Sequence, residues 1–186
     1  MKRLYIEGSA NTANGNLRIA FSKLLEKELK GNMPRIVMGD SKNHTIESFF
    51  TESIDSKEER FLLIDSDEPT PNKQQICNKY NQTYKSKQKI DSSINNTFLM
   101  IQEAEAWLLS QPEVLVEQAG IDMTKFNCLN VETIKNPSDK LADLYKKSGK
   151  TYNKVRDFAK IFPKLDIAKL KQTSSEFKAL IDALNA

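Results

Sequence analysis

Acidic residues follow the short apolar runs of this chain in a repeated way. Leu4-Tyr5-Ile6 runs into Glu7, Phe61-Leu62-Leu63-Ile64 into Asp65-Ser66-Asp67, and Phe98-Leu99-Met100-Ile101 into Gln102-Glu103-Ala104-Glu105. If the runs are neighbouring parallel strands, their carboxylates converge on one edge, where open parallel sheets bind ligands. Asp65 and Asp67 are two apart, so both would project from one face if the extended conformation persists. Hard oxygen donors of this kind suit magnesium or manganese, held by one or two carboxylates, waters and phosphate oxygens. Without a cation such acids repel one another and their pKa values rise. The expected site is therefore a divalent-metal site of Glu7, Asp65 and Asp67. Capping of helices and turns by these same acids is the competing reading, most plainly at Asp67-Glu68-Pro69.

Glu103 and Glu105 cannot share a helical face, so at most one enters the site. Trp107 reads as a core anchor. The single histidine, His44, excludes two-His zinc sites, and it reads as a surface or helix-start residue. Carboxylates and lysines are left to do any chemistry. Neither GxxxxGK[ST] nor GxGxxG occurs in the loop after Gly8, although helix-start amides there could still meet a phosphate, with Arg18 nearby. Asp65-Ser66-Asp67 also has the spacing of an aspartyl nucleophile and its acid partner. Its place after the third apolar run rather than the first argues against that chemistry.

The elements that must position these groups follow from periodicity. Strands are expected at 4–6, 35–38, 61–64 and 98–101, each an apolar run rather than an alternating one, as in a sheet buried on both faces. Between the first two, Leu17, Ile19, Phe21, Leu24, Leu25 and Leu29 recur at helical spacing until Gly31-Asn32. Ile46, Phe49, Phe50 and Ile54 mark a second helix. The polar stretch 70–95 reads as a long loop with one short helix, or a flap. The acids after the fourth strand are expected to turn straight into a helix carrying Trp107. Beyond Pro112 the pattern is helical, with starts at Pro137 and Asp166.

The fold expected is α/β: a mostly parallel four-stranded sheet flanked by helices (1–111), with a basic helical annex (112–186) packed on it. The 186 residues suffice for a real core. No long apolar run suggests a membrane span, and no leader is apparent at the N-terminus. Cys77 and Cys128 form no paired motif, so a reduced, cytoplasmic protein is expected. The net charge of +3 conceals an asymmetry, because the stretch from Lys135 onward carries twelve basic and six acidic residues. Such an annex suits a polyanion, and Lys150, Tyr152, Lys154 and Arg156 are the residues expected to bind a nucleic-acid backbone.

The blocks Leu4–Gly8, Leu63–Asp67 and Met100–Trp107, with Tyr152-Asn153-Lys154 and Leu165-Asp166 later, resemble a bacterial family named domain of unknown function 4276, placed among Toprim-like folds. The resemblance spans nearly the whole chain. It implies a Toprim-like core in which Glu7 acts in acid/base chemistry and Asp65 and Asp67 bind magnesium. The acid two before the tryptophan matches Glu105, which joins Glu7 as a catalytic candidate. In Toprim enzymes a glycine-rich stretch follows the first Glu; here Ser9-Ala10-Asn11 follows Gly8. The resemblance further implies a nuclease-like effector of phage defence acting with an ABC- or AAA-type ATPase. Its alternative is a non-catalytic adaptor or sensor of such an ATPase.

Overall fold

The computed structural model describes residues 1–8, 15–51, 58–69, 71–84, 94–127 and 130–186. Four strands, β1 (Lys2–Glu7), β2 (Arg35–Gly39), β3 (Glu59–Asp65) and β4 (Thr97–Met100), pair in parallel in the order β2-β1-β3-β4. Leu4 sits between Ile36 and Phe61, and Leu63 between Ile6 and Phe98. Parallel strands need crossovers, and helices α1 (Gly15–Leu29), α2 (Lys42–Thr51) and α3 (Lys73–Tyr84) supply them.

Side chains alternate across each strand, so the apolar runs feed two cores. Tyr5, Leu62, Ile64 and Leu99 meet Ile46, Phe49, Phe50 and Cys77 of α2 and α3 on one face. Leu4, Ile6, Leu63, Phe98 and Met100 meet α1 and the C-terminal helices on the other. This double burial is the reason the strands read as unbroken apolar runs. The α/β fold expected from the sequence is the fold observed.

Beyond the sheet lie α4 (Glu105–Leu109), α5 (Pro112–Ala119), α6 (Pro137–Lys147), α7 (Lys154–Ile161), α8 (Ile167–Thr173) and α9 (Ser175–Asn185). Their apolar faces belong to the same buried cluster as α1 and the sheet. Trp107 is 1% exposed. Its ring stacks on Phe162 at 6.0 Å and meets Phe177 edge-on at 5.1 Å. The edge strand is closed from the same side: Glu176 on α9 accepts from Leu99 N at 3.0 Å and pairs with Lys73 at 2.9 Å. Pairing that amide with a side chain removes an open ladder position.

The sequence expectations need three adjustments. The stretch 70–95 contains a full helix, α3, anchored by buried Cys77; a low count of apolar residues obscured its period. Residues 9–14 and 85–93 lie outside the described residues, as do Ile54 and Cys128. The chain does not pass straight from β4 into a helix, because Gln102 adopts φ 60° and α4 begins only at Glu105. Finally, β3 ends at Asp65, and Asp67 also has φ 60°, so the alternation that would align it with Asp65 is broken. His44 lies exposed in the first turn of α2, as expected.

Truncating Trp107→Ala removes the ring that joins α4 to Phe162 and Phe177. It is expected to cost about 3–5 kcal/mol in urea unfolding. Little change would mean that the C-terminal helices do not share the sheet's core.

Candidate active site

The carboxyl ends of β1 and β3 are adjacent, and this brings Glu7 and Asp65 together. Asp65 N donates to Glu7 Oε2 at 3.0 Å. Asp65 Oδ1 in turn accepts from Ala104 N at 3.2 Å, in the bend between β4 and α4. Glu7 Oε1 and Asp65 Oδ2 accept no hydrogen bond from the described residues. Glu7, Asp65 and Glu105 line one cavity of about 240 Å³, whose other side is apolar: Leu17 and Phe21 from α1, Val155 and Phe158 from α7.

Glu105 enters this cavity from the start of α4 and is 0% exposed. Its Oε1 accepts from Tyr152 Oη at 3.2 Å and from Lys154 Nζ at 3.2 Å. Oε2 is buried with no partner among the described residues. Glu103 turns elsewhere and accepts from Ser138 N at 2.9 Å. Only one of the two acids enters the site, and it is the one two before Trp107.

A tight connection makes the other cation available. Gly39 closes β2, and a β carbon there would lie 2.7 Å from the Thr45 backbone. Glycine therefore allows α2 to start close behind the strand. Lys42, its first residue, reaches over the edge, where it lies 3.9 Å from Glu7 Oε2 and pairs with Asp67. Asp67 itself is 71% exposed and stands on the outer side of this lysine. The expected trio is thus split: Glu7 and Asp65 share the cavity, and Asp67 does not line it. Among the described residues, no group of three or more His, Cys, Asp or Glu side chains is arranged to hold a metal ion.

The electrostatics follow from burial and crowding. Burial raises the Glu7 carboxyl, with Lys42 and the Asp65 amide opposing. Asp65 is raised well above the usual aspartate range by burial and then by Glu7. Glu105 is raised by burial against the pull of Lys154. Burial works against the Lys154 ammonium, but Glu105, Asp65 and Glu103 outweigh it and hold its pKa high. Burial and then the Glu105 charge push the Tyr152 hydroxyl far up, so it remains a donor.

Backbone strain collects here as well. Asp67, Gln102 and Asn136 are the described non-glycine residues with positive φ. Asp67 N donates to Gln102 O, Gln102 N to Ser66 Oγ, and Asn136 N to Gln102 Oε1. Left-handed residues of this kind persist only where the surroundings hold them, often at functional sites.

Residues 7–185 match the profile of the family described as Domain of unknown function (DUF4276). The chain belongs to that family. A search of curated proteins and a search of solved structures each found no match. The DUF4276 profile covers the acid edge and the C-terminal helices alike. No helix among the described residues is long and apolar enough to cross a membrane.

In this DUF4276 chain the basic cluster expected to grip nucleic acid is divided between several tasks. Tyr152 packs on Tyr145 at 5.2 Å and commits its hydroxyl to Glu105, so it belongs to the acid site and is not an open stacking platform. Lys154 belongs to that site too. Lys150 donates to Ala119 O and, at 2.9 Å, to Gly120 O, the C-terminal carbonyls of α5. Arg156 pairs with Asp157 at 2.8 Å but is 70% exposed. Sequence reading missed Lys42 and the apolar wall. The strand-end rule that found the acids also covers the end of β2, and applied to bases it points to Lys42.

Asp65→Asn keeps an acceptor for Ala104 N and removes the repelled charge. Native Asp65 takes up its proton at higher pH than the unfolded chain does. Stability is therefore lost as pH rises from the ordinary aspartate range through the raised native value. In metal-free buffer at pH 7 the variant should melt above the parent, by about 2–4 °C per kcal/mol relieved, and the gap should close as pH falls toward about 4. A variant that melts lower at pH 7 would show that the Asp65 charge is compensated.

Proposed function

We propose that this protein is a divalent-metal-dependent phosphodiesterase acting on nucleic acid, with Glu7 and Asp65 as its metal-holding pair. The observation that carries this reading is the 3.0 Å contact between Glu7 Oε2 and the Asp65 amide, which fastens two carboxylates from adjacent strands at one cavity. The donor set suits magnesium or manganese: two hard carboxylates, each with an oxygen free of hydrogen bonds from the described residues, and room for waters and phosphate oxygens. When bound there, the ion supplies charge stabilisation at phosphate and a more acidic water.

The chain's own residues do the rest. Lys42 and Lys154 face the acids from opposite sides of the edge and can each meet a phosphate oxygen as a point charge. Tyr152 and Lys154 fix the Glu105 carboxylate through Oε1. Burial raises its pKa, so the other oxygen keeps a proton more readily than an exposed glutamate does. The apolar wall of Leu17, Phe21, Val155 and Phe158 limits bulk water, which strengthens each charge inside. The Toprim-like relationship, with Glu7 as the acid/base group and Asp67 as an outer metal ligand, belongs to the same proposal. So do a cytoplasmic location and a role in phage defence. Asp67 would have to exchange Lys42 for the ion to join the set.

One observation favours a non-catalytic second reading. Lys42 and Lys154 already sit on the acids, so the cluster is partly neutralised without an ion. The protein would then be an adaptor or sensor on an ABC- or AAA-type ATPase.

Incubation with DNA and RNA in magnesium or manganese decides between them. Glu7→Gln and Asp65→Ala should each lower cleavage at least about 100-fold, the usual scale for losing a group that stabilises charge in the transition state. Equal cutting by parent and Asp65→Ala would point to a contaminant and overturn the reading. Metal-independent function of Asp65→Ala, with co-purification of an ATPase, would favour the adaptor.

A further inference from the structure

Beside the contact between α1 and α7 runs a groove of about 620 Å³. Its basic lining is Lys23 from α1 and Arg156 and Lys160 from α7; its apolar lining includes Ile19, Val155 and Pro163. Among the described residues, no acid lines it. Ile19 is 51% exposed, one of the few large apolar side chains so displayed. Val155 lines both this groove and the acid cavity, so the two adjoin at that side chain. A second depression of about 530 Å³ shares Arg156 and Lys160 and adds Lys150 and one acid, Asp157.

We propose that the α1–α7 groove is a track for one unpaired strand of nucleic acid, leading its backbone to the cavity of Glu7 and Asp65. Its direction toward the acids rests on the phosphodiesterase reading. Cations along a groove neutralise successive phosphates, and an apolar lining accepts base faces without regard to sequence. That pairing of surfaces is what selects an unpaired strand, because a duplex keeps its base faces stacked inside and has nothing to set against Ile19. A furrow between two packed helices, whose axes typically lie about 8–10 Å apart, is also narrow. A flat anionic membrane would not enter it. Arg156 and Lys160 take part although each has a protein contact. Arg156 pairs with Asp157 while remaining exposed, and Lys160 Nζ donates to Gln118 O at 2.6 Å, with Asp157 near enough to feel its charge.

The test is fluorescence anisotropy of a labelled mixed-sequence oligonucleotide with the full chain and EDTA, so that binding is read without cleavage. The single strand should bind at least about tenfold tighter than its duplex. Lys23→Glu and Ile19→Asp, both at exposed positions, should each weaken it about fivefold or more, and Lys23→Glu should lower the salt dependence by about one counterion. Lys178→Glu on α9, which lines neither depression, should bind as the parent does. Melting curves confirm that the variants fold. Equal affinity for duplex and single strand, or unchanged binding in both groove variants, overturns the track. So does capture of polyglutamate or phosphatidylserine vesicles with no oligonucleotide binding. The two proposals fail separately. A strand held in the groove but left uncut with manganese removes the nuclease and keeps the track, whereas cutting that ignores both groove variants does the reverse.

Discussion

The hydrogen bond from the Asp65 amide to Glu7 Oε2, 3.0 Å long, holds two carboxylates from neighbouring parallel strands at one edge of the sheet. Ile6 lies opposite Leu63, so both strands end at this edge, with Asp65 one residue beyond the level of Glu7. Burial then denies them the water that would screen their charge. Much of the surrounding architecture answers that crowding. Lys42 arrives through a turn that only glycine at position 39 permits, and Lys154 arrives from the first turn of α7. Positive-φ residues at Asp67 and Gln102 carry the chain away from the strand ends.

The C-terminal helices are part of this arrangement. They supply Tyr152 and Lys154 to Glu105, the Val155 and Phe158 side of the cavity, and the Glu176 side chain that closes the β4 edge. Their apolar faces complete the core around Trp107. Removing them would expose the sheet face and leave Glu105 with neither partner. The family profile, which runs from Glu7 to residue 185, covers the same unit.

Charge is distributed unevenly along this surface. Carboxylates occupy the cavity, whereas the groove that adjoins it at Val155 is lined by cations and, among the described residues, by no acid, Arg156 pairing with Asp157 outside that lining. A polyanion drawn to the groove would be repelled by the cavity unless a cation stood between. If the proposed metal and strand both bind, each would supply charge balance that the other lacks.

The sequence by itself determined the layers. Unbroken apolar runs at β1, β3 and β4 dictated strands buried on both faces, and helical spacing in α1 and α9 dictated what covers them. It also determined that Glu7 and Asp65 end strands, and that Glu103 and Glu105 diverge, because those statements depend only on periods of 2 and 3.6 residues. Strand order lay beyond its reach. Only the folded chain placed β1 beside β3, which is what joins Glu7 to Asp65. Local backbone reversals were equally illegible: nothing in Asp65-Ser66-Asp67 announces φ 60° at the last residue, and that angle separates Asp67 from the pair. The partners of Tyr152 and Lys154 are about fifty residues away in the chain. Whether a lysine or tyrosine faces solvent or a buried carboxylate is a matter of long-range packing, and local periodicity carries no record of it.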